Sequence, residues 1–136
     1  MANKTYEFLD HTADLKIKVY GSSLTEVFEN SVLAVSEYLS PDKAVESRKL
    51  KTVQVQGQDQ ESLLYNFLEE LLYLIDAEGF IAAKAEVTLR GNNLMAEISG
   101  DEVSKYGLKQ IKAPTYAEME IKKDAGRWIA QFVLDV

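Results

Sequence analysis

Asp10-His11-Thr12-Ala13-Asp14 gathers two carboxylates and the single histidine of the chain within five residues. Such a cluster either bonds its own backbone in a turn or offers oxygen to a cation. A second acidic group stands at the far end, where Trp128 to Val136 alternates as a strand up to Asp135-Val136. Chain ends usually fray, yet Trp128, Ala130, Phe132, Leu134 and Val136 form an apolar face that would tie this one into a sheet. If the strand after Asp14 lies beside the C-terminal strand, Asp14, Asp135 and the carboxylate of Val136 meet. Three anionic oxygen donors repel one another unless a cation lies between them. Calcium or magnesium prefer such donors, with manganese a further candidate, and three protein ligands leave positions for water or a partner. Zinc suits the chain poorly, for it has no cysteine and one histidine.

Lys112-Ala113-Pro114-Thr115-Tyr116 is a further candidate: a lysine, threonine and tyrosine at a strand entrance can contact a phosphate or carboxylate. The same segment also reads as a solubilising edge, with Pro114 at an irregular position. Glu69, Glu70 and Asp76 read as a solvated helix face. No G-x-x-x-x-G-K-[ST], G-x-G-x-x-G or G-x-S-x-G pattern occurs. A Ser-His-Asp triad would have to use His11, and no serine stands out as its partner.

The elements that must position these groups follow from periodicity. Ser23-Leu24-Thr25-Glu26 fits a capping box, followed by Leu24, Val27, Phe28, Val32, Val35 and Leu39 at helical spacing until Ser40-Pro41. A second helix starts near Asp59 and carries Leu63, Leu64, Phe67, Leu68, Leu71, Leu72 and Ile75 before Gly79. Its apolar arc is wide, which predicts cover on more than one side. The rest alternates with period two, and Gly91-Asn92-Asn93 and Asp124-Ala125-Gly126-Arg127 mark hairpin turns. The order β-β-α-β-α-β-β-β-β predicts an α+β fold: one domain over 1–136, with a mainly antiparallel sheet and two helices packed on one face.

Charge narrows the function. Net charge is −7 and the pI is about 4.8. Lys105, Lys109, Lys112, Lys122 and Lys123 are interleaved with Asp101, Glu102, Glu118, Glu120 and Asp124. This mixture argues against holding RNA unaided, since phosphate contacts dominate that affinity. Met1-Ala2-Asn3-Lys4-Thr5 lacks the apolar core of a signal peptide, and no apolar run approaches the roughly 20 residues of a membrane span. A cytoplasmic protein without a membrane partner is the expectation.

Taken in order, these segments resemble the archease family. The resemblance rests on Asp10-His11-Thr12-Ala13-Asp14, the helix after Tyr20-Gly21-Ser22-Ser23-Leu24, and Leu64-Tyr65-Asn66-Phe67-Leu68-Glu69-Glu70-Leu71-Leu72. Lys112 to Tyr116 and the end Trp128 to Val136 complete it. It implies a non-enzymatic accessory protein of the GTP-dependent 3′-phosphate RNA-splicing ligase, promoting guanylylation and turnover in transfer-RNA splicing or RNA repair. RNA would then be met only through the ligase. It also implies a metal site, commonly assigned to calcium, mapping to Asp14, Asp135 and Val136. Asp10, His11, Thr12, Lys112 and Tyr116 are candidates to support those ligands or to contact a partner. The sequence departs from the family at Ala117, commonly histidine, and at Pro114, often a branched apolar residue. Two rival readings remain open: a metal-dependent hydrolase or phosphotransferase, and a chaperone-like interaction module with a structural metal.

Overall fold

The computed structural model describes residues 4–9 and 14–136. Its elements are β1 (Tyr6–Leu9), β2 (Asp14–Gly21), α1 (Leu24–Leu39), β3 (Lys49–Gln56), α2 (Gln60–Glu78), β4 (Phe80–Arg90), β5 (Asn93–Glu102), β6 (Ala113–Asp124) and β7 (Arg127–Asp135). The predicted order of strands and helices is the observed one. The strands divide into two antiparallel sheets, β1-β2-β7-β6 and β3-β5-β4. The first closes non-locally, as the last strand returns to pair along the whole of β2.

Both helices start where side-chain oxygens can satisfy unpaired N–H groups. Ser23 Oγ accepts from the Glu26 N–H at 3.1 Å. The Glu26 carboxylate accepts from the N–H and hydroxyl of Ser22, one residue earlier than a capping box places it. In α2 the box is complete, with Asp59 accepting from the Ser62 N–H at 2.7 Å and Ser62 Oγ accepting from the Asp59 N–H at 3.0 Å. Gly79 ends α2 in the left-handed region, φ 62°, where its N–H reaches the carbonyls of Ile75 and Leu74.

The helices meet at Phe28 and Phe67, whose ring centroids lie 6.1 Å apart. Both side chains are fully buried with Leu63, Leu64, Ile17, Phe132, Ile98 and Ile81 in one core. Burying each such side chain contributes roughly 1.5–3 kcal/mol. The wide apolar arc of α2 is explained by its neighbours, since it packs on β6, β3 and β4 as well as α1.

A buried carboxylate organises the connection from β5 to β6. Asp101, only 1% exposed, accepts from Tyr106 Oη and the Glu102 N–H, both at 2.8 Å, with Lys105 Nζ at 3.3 Å. Burial opposes its charge, but the bonds from Tyr106, Glu102 and Lys105 outweigh that and hold its carboxyl below the usual range. Tyr106 Oη also accepts from the Glu46 N–H at 3.0 Å. Farther on, the Lys109 N–H donates to the Leu39 carbonyl at 2.9 Å and the Lys112 N–H to the Asp135 carbonyl at 2.7 Å. The segment entering β6 is thereby fixed to the end of α1 and the end of β7.

Candidate metal centre

β2 begins at Asp14 and β7 ends at Asp135, and the antiparallel register sets these two residues directly opposite each other. Directly opposed side chains have Cβ atoms about 4.5–5.5 Å apart. Alternation fixes where they point. Leu15, Ile17 and Val19 on β2, and Leu134, Phe132 and Ala130 on β7, are buried in the core. Asp14 and Asp135 therefore share the opposite face of the sheet. Both are half-buried.

Asp135 is held from both sides. β2 pairs with it through Asp14, and β6 pairs with it through Ala113, beside the bond from the Lys112 N–H. Val136, next in the chain, packs against the core. The end of β7 is thus anchored, as its apolar face predicted.

Like charges set opposite each other in a sheet disfavour folding by a few tenths to about 1 kcal/mol. A cation between them removes the repulsion. The donors are oxygen alone, which fits calcium or magnesium and leaves zinc without its usual ligands. Among the described residues no three His, Cys, Asp or Glu side chains converge. The pair thus supplies two anionic side chains, with Val136 next to Asp135 in the chain. Asp10, His11 and Thr12 lie outside the described residues.

The Lys112–Tyr116 segment divides. Lys112 reaches Asp135 alone, its backbone N–H donating to the Asp135 carbonyl. Tyr116 turns to α2 instead, where its ring stacks on Tyr65 with centroids 4.1 Å apart and planes 4° from parallel. Partial desolvation, followed by the influence of Tyr65, Asp59 and Glu69, raises its phenol above the usual range.

Between Thr115↔Val133 and Glu120↔Gln131 the register slips, so that Tyr116, Ala117, Glu118 and Met119 all stand opposite Phe132. Glu118 adopts φ 57° in this bulge. Its carboxylate pairs with Lys16 Nζ at 2.9 Å, and its carbonyl accepts from Gln131 Nε2 at 2.9 Å. The bulge thus binds the outer face of β2 and β7, two positions from Asp14. Sequence reading missed Glu118 as a positioning residue. The signal was the lost alternation from Tyr116 to Met119.

A family model described as the Archease protein family matches residues 6–136. A protein archease of Pyrococcus abyssi is 42% identical over 98% of this chain and 99% of its own length. One from Methanosarcina barkeri is 38% identical over 98% of this chain and 97% of its own. The solution structure of Methanobacterium thermoautotrophicum protein 1598 superimposes with a TM-score of 0.81 at 33% identity, covering 97% of this chain and 99% of that one. A Thermotoga maritima crystal structure, titled an archease and possible chaperone, shares the fold with a TM-score of 0.67 at 18% identity, covering 100% of this chain and 98% of that one.

Proposed function

We propose that this chain, which belongs to the archease family, is an accessory protein that promotes guanylylation and repeated turnover of a GTP-dependent 3′-phosphate RNA ligase. The observation that supports a metal-dependent version of this reading is the facing pair Asp14 and Asp135 at one end of the sheet. Asp14, Asp135 and the Val136 carboxylate would hold a calcium ion, or magnesium or manganese in its place. A cation held by so few protein groups supplies positive charge and vacant positions for oxygens of the ligase or its nucleotide.

The chain's own residues prepare that end of the molecule. Pairing on both sides of Asp135 fixes its backbone before any partner arrives, which lowers the ordering cost of binding. Lys16, bound to Glu118, stiffens the face beside Asp14. A net charge of −7 suits a basic ligase surface better than RNA itself.

The test is the rate of ligase guanylylation by GTP, with and without this protein. Acceleration by wild type, and its loss in correctly folded Asp135→Ala, is the expected result. Turnover of a phosphoester by the protein alone would favour the hydrolase reading. Absence of any effect on an active cognate ligase would remove the accessory role and favour the interaction module.

A further inference from the structure

The edges of the two sheets are not treated alike. β4 is sealed where Glu29 of α1 accepts the Val87 N–H at 2.8 Å. β6 is interrupted by its bulge, and β1 is four residues long. β3 is different: eight residues, Lys49–Gln56, with an unbroken register along β5 and neither proline nor glycine. A regular edge of this kind is a template for another strand.

The register says which of its backbone groups face outward. Arg90 and Asn93 close a two-residue hairpin whose first turn residue, Gly91, has φ 58°. Arg90 and Asn93 therefore spend their bonds on each other, leaving Asn93 none for its β3 neighbour Gln56. The Gly57 N–H reaches the Asn92 carbonyl at 3.0 Å in the next position. By alternation, Val53 and Val55 bond to β5, while Thr52, Gln54 and Gln56 present their backbone groups to the open side. The Gln56 carbonyl is taken by Asn66 Nδ2 of α2 at 2.8 Å. No such partner meets the backbone of Thr52 or Gln54 among the described residues.

Cavities flank this stretch on both sides. One of about 500 Å³ lies between β3 and α2, lined by Gln54, Gln56, Asn66, Glu69, Glu70 and Tyr73. Another of about 550 Å³ lies over the exposed face of the sheet, bounded by Gln54, Thr88, Arg90 and Met95. Alternate side chains of an added strand would enter one or the other. Charge selects the occupant. Among the described residues neither Glu69 nor Glu70 is ion-paired, and the Tyr73 ring beside them is 55% exposed. By contrast, Lys49 and Lys51 at the opening of β3 are bound to Glu102 and Glu78.

We propose that the β3 edge is a docking site for an extended lysine- or arginine-bearing segment of a partner protein. This segment adds to the β3-β5-β4 sheet as a fourth strand, with its cations meeting Glu69 and Glu70 and its backbone meeting Thr52 and Gln54. A second copy of the chain is disfavoured as the occupant, because it would set a net charge of −7 and the same acidic groove against itself.

The experiment uses the full chain and an end-blocked octapeptide of alternating lysine and valine, with a glutamate–valine octapeptide as control. Fluorescence anisotropy reads affinity, and amide hydrogen exchange locates binding. The lysine peptide should bind, slow exchange at Thr52 and Gln54, and outcompete the glutamate peptide at least tenfold. Thr52→Pro removes an outward N–H without touching the β3–β5 ladder and should weaken binding at least tenfold. Glu69→Lys/Glu70→Lys, at an exposed and a half-buried position outside the core, should do the same and decides the matter if the proline variant fails to fold. No binding by wild type, protection confined to other strands, or unchanged affinity in the charge-reversed variant would overturn the proposal. Concentration-dependent dimerisation abolished by Thr52→Pro would also overturn it, in favour of a second copy.

Discussion

Asp14 and Asp135 face each other at a register position where like charges repel. If a cation offsets that repulsion, calcium should raise the thermal stability of wild type. A ligand present at a hundredfold over its dissociation constant adds about 2.7 kcal/mol. Asp135→Asn should match or exceed wild type in chelator, by up to about 1 kcal/mol, and should gain nothing from calcium. Melting curves of both proteins with chelator and with millimolar calcium check this; a wild-type midpoint indifferent to calcium would contradict it. Asp101 gives a second prediction. Its carboxyl is held below the usual range in the folded state, so its contribution is fully present above its unfolded value and is lost as pH falls through its folded value. The stability gap between wild type and Asp101→Asn should therefore narrow on acidification, as urea titrations across the acid range would show. These two carboxylates differed in what the sequence disclosed. Asp135 was legible because an apolar strand face ends beside it. Asp101 was not, because its partners Lys105 and Tyr106 arrive from a connecting segment that carries no period.

Strand order and helix limits were legible because caps, turn residues and periodicity agree with the tertiary packing. Asp59 and Gly79 bracket α2 as expected. The division into two sheets was not legible, since alternation says that a strand exists but not which neighbour it takes. In β3 and β5, Lys49 to Thr52 and Ser99 to Glu102 lack a clear apolar alternation and are strand by pairing. The β6–β7 turn supplies a prediction at this scale. Ala125 and Gly126 occupy its two central positions with φ 53° and 81°, and a left-handed conformation costs an alanine roughly 1–2 kcal/mol. Asn-Gly is the preferred pair for such a turn. Ala125→Asn should therefore raise stability by about 1 kcal/mol, read as a higher urea midpoint at unchanged slope; a lower midpoint would mean that the turn is not strained at this residue.

As a whole molecule, the chain combines an anchored acidic sheet end with a net charge of −7. Family membership rests on a match along nearly the whole length, and the facing aspartates supply the chemistry on which the accessory role is argued. If charge steers the encounter with a ligase, stimulation should weaken as salt is raised from low to moderate concentration. Initial guanylylation rates across a salt series would test this, and a flat profile would point to contacts that are not electrostatic. The central claim meets its most direct test in multiple-turnover RNA joining by the cognate ligase, with wild type and Asp14→Ala compared after folding is verified by circular dichroism. The account predicts many joined products per ligase with wild type, and no more with the variant than with ligase alone. Full stimulation by folded Asp14→Ala, or none by wild type beside an active ligase, would contradict it.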